Sequence, residues 1–270
     1  MDELIICVAP YPGEKQVEKF PGKMDVAEEV IRSYHAGASI GHLHVRDENG
    51  LQTTDLRCFE RDFKKIRSGC SIIVEGSTGG APEHTLEERC LSFRVPGIEL
   101  GSLNLGSINM YEGVYQNPVA HMQYYAQELK IRGIKPFLCV FDLSEFYNLD
   151  ELEKEGFVTP PYLYNLVFDT PSTLPYSEKV LEIFLSFIPK GAPWFLTRHH
   201  SKGWESFRAA LEHGGHVRVG YEDGPFLASG ERARSNAEFV EEVSKAAHTV
   251  GRKVVGPDRA REILGLKPLR

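Results

Sequence analysis

No stretch of this 270-residue chain approaches the roughly 18 consecutive apolar residues that a membrane-spanning helix needs, so a helical membrane protein is excluded. The first ten residues hold Asp2, Glu3 and one short apolar run, which reads as a first strand rather than a leader or an anchor. Cysteine is sparse: Cys7, Cys58, Cys70, Cys90 and Cys139 are odd in number, scattered and without a Cys-x-x-Cys pair. That excludes a disulfide framework and a cysteine zinc site, and fits a reducing cytoplasm. Positive charge is in deficit, with 31 Lys and Arg against 38 Asp and Glu, so no basic face awaits a nucleic acid. Repeats and low-complexity tracts are lacking, and 41% hydrophobic with 26% charged residues is ordinary for a soluble globular chain.

What is there is an alternation. Short β-branched runs at Leu4–Ala9, Ala38–Val45, Ser71–Glu75, Gly97–Leu100, Lys135–Val140, Tyr162–Phe168, Trp194–Thr197 and His216–Val219 predict eight strands. Amphipathic stretches lie between them. Asp25 with Glu28 predicts a capping box for a helix that Gly37 ends. Leu56, Phe59, Phe63 and Ile66 form a stripe closed by Gly69, Pro118 opens a helix running to Gly133, and Ser177 starts another. Ser235 with Glu238 predicts a cap for a helix that Gly251 stops. Asp142–Pro161 shows no clear period and is expected to be a lid or an inserted helix.

Alternating strands and helices imply parallel pairing, and eight such units without a long linker predict one α/β domain over residues 1–270, a single (β/α)8 TIM barrel. A terminal helix at 257–265 is expected to cap it. An open doubly wound sheet is the alternative, but Pro10-Tyr11-Pro12-Gly13 after the first strand is no dinucleotide fingerprint.

The second predicted strand carries His42 and His44, whose side chains share one face while Leu43 and Val45 take the other. Facing inward near the mouth of a barrel, two such imidazoles can share one metal ion; two buried, hydrogen-bonded histidines is the plainer alternative. The eighth strand runs on into Glu222-Asp223, with Arg218 and Glu222 on one face. Only the first strand separates the eighth from the second in a closed barrel, so Glu222 can reach a metal held by His42 and His44. Two imidazoles and one carboxylate leave positions open for a substrate oxygen. A surface Glu-Asp turn is the alternative. Ser77-Thr78-Gly79-Gly80 after the third strand suits a carboxylate or phosphate, or is an ordinary turn. His199-His200 reads as a polar loop face rather than a ligand pair.

Taken together, Gly41–Asp47, Ser77–Gly80, Gly214–Asp223, Ser235-Asn236 and Ala260–Gly265 resemble the β-keto acid cleavage enzyme family over nearly the whole chain. The resemblance implies a cytoplasmic, zinc-dependent transferase barrel with one zinc per chain, assembled as a homotetramer. It would take a small β-keto acid and acetyl-CoA and release acetoacetate and a new acyl-CoA by retro-Claisen cleavage. Carried over position by position, His42, His44 and Glu222 would bind zinc, and Asp223 would be the base that forms the acetyl-CoA enolate. Arg218 would orient Asp223 and stabilise negative charge. Ser77 would hold the substrate carboxylate with the backbone of Thr78 and Gly79, and Ser102 or Asn104, in a polar loop after the fourth strand, would touch substrate. Arg218 is expected to lower the Asp223 pKa about as much as burial raises it, leaving a base ionised at neutral pH.

Two departures stand out. Relatives carry glutamates on the fifth strand where this chain has Phe137 and Cys139, which is expected to leave Arg218 less neutralised. Leu196–His200 replaces a glycine-arginine segment. Both point to a divergent substrate. An amidohydrolase-like hydrolase, which also uses His-x-His in a barrel, and a non-catalytic metal-containing barrel binding a small acid are the competing readings.

Overall fold

A computed structural model of the chain describes residues 2–11, 24–110, 113–170, 173–199 and 204–269; Pro12, Gly13 and His200 lie outside them. Eight strands, β1 (Ile6–Val8), β2 (Ile40–Leu43), β3 (Ile73–Gly76), β4 (Leu100–Asn104), β5 (Lys135–Val140), β6 (Leu163–Phe168), β7 (Trp194–Arg198) and β8 (His216–Val219), form a closed barrel. Every strand pairs in parallel with the next, and β8 returns to β1. The helices are α1 (Val26–Ala36), α2 (Leu56–Gly69), α3 (Leu86–Arg89), α4 (Val119–Arg132), α5 (Glu145–Lys154), α6 (Glu178–Ser186), α7 (Glu205–Glu212), α8 (Asn236–Thr249) and α9 (Pro257–Leu264). The chain is therefore an α/β protein of the (β/α)8 barrel class. No helix among the described residues is long and apolar enough to cross a membrane.

Local chemistry sets most helix ends. Asp25 accepts the Glu28 N–H and Ser177 the Val180 N–H, while Gly37 and Gly133 close α1 and α4 in the left-handed conformation. Ser235 makes no side-chain cap. Glu238 instead receives Arg234, and Asn236 takes over the junction: its Oδ1 accepts the Tyr221 N–H at 3.1 Å, and its Nδ2 donates to Glu29 of α1 at 3.1 Å. That staple fixes the turn leading to Glu222.

The expected fourth strand, Gly97–Leu100, lies too early; β4 begins at Leu100, so Ser102 and Asn104 sit on a barrel strand and not in a loop after it. Gly101 is required there, because a Cβ would stand 2.4 Å from a Leu129 methyl of α4. Asp142–Pro161 contains α5, the crossover from β5 to β6.

Strand residues alternate between two cores. Leu43, Val74, Leu103, Leu138, Leu166, Leu196 and Val217 face the helices. Ile5, Cys7, Ile40, Ile73, Leu100, Phe137, Leu163 and Phe195 fill the barrel at its N-terminal end, packed with Ala260 and Leu264 of α9. Two-residue strands Glu3–Leu4 and Lys253–Val254 pair beside them.

Candidate metal and acid–base site

At the opposite, C-terminal end of the barrel the interior is polar. His42, two residues above Ile40 on β2, is 2% exposed, and His44 follows just past the strand end with its side chain 12% exposed. Glu222 reaches them from beyond β8. The strand stops at Val219, and Gly220, at φ +142°, turns the chain over Ala9 so closely that a Cβ would lie 2.2 Å from the Ala9 carbonyl oxygen. The Glu222 N–H then donates to that oxygen at 3.2 Å. The outcome is the juxtaposition expected from strand parity, reached through a tight turn and not a continued strand.

His42 Nε2 and His44 Nε2 stand 3.2 Å apart, and Glu222 places Oε1 3.4 Å from the first and Oε2 3.2 Å from the second. One ligand atom from each residue lies within 4.8 Å of the others, the spacing of a single cation's coordination shell. Two imidazole nitrogens and a carboxylate turned towards one point are a donor set that fits a divalent metal by its chemistry. His42 Nδ1 faces Glu75 Oε2 at 2.9 Å, and Ser102 Oγ donates to Glu75 Oε1 at 2.7 Å. Such a carboxylate fixes the ring and directs its other nitrogen to the metal position. Glu75, fully buried on β3, was missed in the sequence; its only signal is a lone carboxylate at the end of an apolar strand.

Arg218 binds both acids of the turn. Its Nε donates to Asp223 Oδ2 at 2.9 Å, and its Nη2 donates to Asp223 Oδ1 at 2.9 Å and to Glu222 Oε1 at 2.5 Å. Arg218 thus meets two carboxylates directly and feels Glu75 as well, with Phe137 and Cys139 supplying no further charge from β5. Asp223 is 2% exposed. Burial lifts its pKa above the ordinary carboxylate range, Arg218 opposing and Glu222 adding, so the expected balance tips towards burial. Burial and Arg218 press His42 down, yet Glu75 and Glu222 more than reverse this and raise it to about 9. His44, pushed down by burial to about 4, stays neutral with a lone pair to offer.

His199 lies beside this group and not on an exposed loop face: its Nε2 is 3.8 Å from Asp223 Oδ1, and burial lowers its pKa to about 4. Arg198, its neighbour, binds Asp169 and Glu205.

Ser77, 8% exposed, accepts the Gly79 N–H at 2.9 Å and keeps its own proton to donate. Gly79 has to be glycine because a Cβ would lie 2.8 Å from the His44 ring. Thr78 Oγ1 accepts from Asn104 Nδ2 at 3.1 Å and donates to the Ser102 carbonyl at 3.3 Å; Asn104 also donates to the Tyr115 hydroxyl at 3.0 Å. Thr78, Gly79, Ser102 and Asn104 thus have protein partners already and build the frame behind Ser77 and His42. Arg89, also unforeseen, binds the Thr78 and Gln116 carbonyls and Asn117, tying this frame to the hairpin Ile108–Met110/Gly113–Tyr115.

The sequence profile of beta-keto acid cleavage enzymes matches residues 3–266. The chain is similar to the 3-keto-5-aminohexanoate cleavage enzymes of Fusobacterium nucleatum, 33% identical with 99% of each chain covered, and of Acetoanaerobium sticklandii, 33% identical with 98% and 99% covered. It is also similar to a 3-oxoadipate:acetyl-CoA acetyltransferase of Cupriavidus necator, 30% identical over 88% of this chain and 85% of that one. Among solved structures, a ternary complex of ObcA with a C4-CoA adduct and oxalate superposes with a TM-score of 0.74 at 18% identity, covering 89% of this chain and 66% of that one, a likeness of fold.

Proposed function

Because this chain belongs to the β-keto acid cleavage enzyme family, we propose that it transfers acyl groups between a β-keto acid and acetyl-CoA, giving acetoacetate and a new acyl-CoA at a zinc-binding site. The observation that carries the reading is the convergence of His42, His44 and Glu222 beside the Arg218–Asp223 pair. Those three residues would hold the zinc, which supplies Lewis acidity towards the oxygens of the keto acid when bound.

Atom balance corrects the proton's origin. Acetoacetate combines the acetyl group with the CH2–COO⁻ unit of the keto acid, so the nucleophile is C2 of the keto acid and not the methyl of acetyl-CoA. Asp223 takes the C2 proton; C2 bonds to the acetyl carbonyl carbon, and the C–S bond breaks to release CoA thiolate. The thiolate then attacks the original keto carbon, the C2–C3 bond breaks, and the electron pair left on C2 recovers the proton from Asp223. Arg218 holds Asp223 on both oxygens and keeps it aimed throughout. Ser77 donates its hydroxyl proton to the substrate carboxylate. Near-neutral titration of Asp223 suits a group that must both accept and return a proton.

The test is acetyl-CoA labelled at its carbonyl carbon, incubated with zinc-loaded protein and a β-keto acid. The label should emerge in acetoacetate while the new CoA ester stays unlabelled. Absence of any new CoA ester across a panel of keto acids would remove the reading. A hydrolase of the amidohydrolase kind finds no support at β5 and β6, which contain no histidine. The homotetramer is part of the same proposal and is checked by sedimentation.

A further inference from the structure

Across the barrel from the His42–His44–Glu222 cluster stands a wall of different character. Cys139 of β5 and Val167 of β6 point inward on the same parity as Phe137 and Asn165. With Phe141, just past β5, and Ile108, on the hairpin after β4, they form one buried apolar cluster, against which Met110 and Tyr115 pack. Cys139, Val167, Phe141 and Ile108 are 2–7% exposed. In the ring of strands β5 lies three places from both β2 and β8, so this cluster faces the proposed zinc site over the barrel axis. Its closeness shows electrostatically: the charges of Glu75 and Arg218 reach the Cys139 thiol, and that of Glu222 reaches the Tyr115 hydroxyl.

Polar groups bordering the wall are engaged with one another. The Tyr115 hydroxyl accepts from Asn104, Asn165 Oδ1 accepts from Thr197 Oγ1 at 2.7 Å, and Asn165 Nδ2 points to Cys139 Sγ at 3.8 Å. The charged groups that border it among the described residues are engaged with the protein: Arg89, over the Tyr115 ring at 5.2 Å, binds the Thr78 and Gln116 carbonyls and Asn117, and Glu145 accepts the Phe141 N–H. A charged tail placed there would lose its water and meet only charges already bound by protein partners.

We propose that the keto acid used by this chain carries an uncharged hydrocarbon tail beyond its keto carbon, and that Cys139, Phe141, Val167 and Ile108 select it. The proposal rests on the reading above, which sets the keto and carboxylate oxygens at the zinc side and so sends the tail to the opposite wall. It separates this chain from relatives named for an amino-bearing acid and for a dicarboxylic one.

The experiment compares 3-oxohexanoate, 3-keto-5-aminohexanoate and 3-oxoadipate on the zinc-loaded protein, by calorimetric binding of each acid alone and by kcat/KM with acetyl-CoA. The alkyl acid should bind and turn over at least about tenfold better than either charged acid. Equal or better binding of a charged acid overturns the proposal while leaving the transfer reaction standing. Alkyl-selective binding with no CoA ester formed supports the proposal and removes the reaction. Cys139→Glu should lose affinity for the alkyl acid and gain it for the amino acid, and unchanged preference places the tail elsewhere and overturns the assignment. Should that variant fail to fold, Val167→Thr gives the same readout, a severalfold loss for the alkyl acid alone.

Discussion

The two ends of the barrel interior use the same strands and opposite chemistry. Ile40, Ile73, Leu163, Phe195 and His216 are inward residues in the lower part of their strands; two residues on along each strand, on the same face, come His42, Glu75, Asn165, Thr197 and Arg218. On β4 the change runs Leu100, Ser102, Asn104, and on β5 it is only Phe137 to Cys139. The lower level is apolar but for His216, whose Nδ1 accepts the Ile5 N–H at 3.1 Å, and α9 seals it. The upper level is almost entirely polar and cross-linked by hydrogen bonds and ion pairs. Burial of apolar area stabilises the first; the second costs desolvation, which the paired charges of Arg218 and its acids offset. Stability and chemistry are thus separated by a few ångströms along each strand.

That separation can be broken from either side. The largest effect is expected at the top: Asp223→Asn should keep zinc and the fold yet lower turnover by about 10²–10⁴, the range of a lost general base, and a normal rate would take Asp223 out of that role. At the bottom, Phe137→Ala should cost about 3–5 kcal/mol in chemical denaturation, with zinc stoichiometry of the folded protein intact. Loss of metal in that variant would show the two levels to be coupled. His42→Ala and Glu222→Ala should each weaken zinc binding by roughly a hundredfold or more, and Glu75→Gln by about 10–100-fold, read by elemental analysis after dialysis against a chelator. Full metal retention in both alanine variants would contradict the ligand assignment.

The smallest effect concerns Glu145, a buried acid whose Oε2 accepts the Phe141 N–H at 2.7 Å at the upper rim. Burial raises its pKa to about 8, above its unfolded value. The folded state therefore holds this proton where the unfolded chain has released it, and the stability it confers is present below about pH 4.5 and declines as pH rises towards 8. Glu145→Gln should flatten that decline; parallel melting curves for parent and variant between pH 5 and 8 would refute it.

Much of this comparison was visible in the sequence, and the failures follow from it. Floor strands announced themselves through Ile, Val and Phe runs. β4 was misplaced because its inward residues, Ser102 and Asn104, are polar for the sake of the site, and Gly101 is small for the sake of Leu129; a strand that serves chemistry stops resembling one. α5 was obscure although Phe146, Leu149 and Leu152 recur every third residue, since exposed Tyr147 and a crowd of acids interrupt the stripe. His42, His44, Arg218 and Glu222 could be brought together by parity and barrel closure, whereas Asp223, of the opposite parity, was pointed to by the family resemblance alone and is brought in by the turn at Gly220. Glu75 and Arg89 could not be placed, because their partners are set by side-chain reach across strands and loops, which no local spacing encodes.

One pairing has a consequence for how the molecule comes into being. β1, near the start of the chain, completes its hydrogen bonding only with β8, some two hundred residues later, and Ile5 leans on His216 across the same interval. A nascent chain emerging from the ribosome can stack its early strands, but the ring cannot shut until synthesis is almost finished. The imidazoles made first must wait for the carboxylate made late, so in a truncated or half-folded copy the three side chains cannot come together.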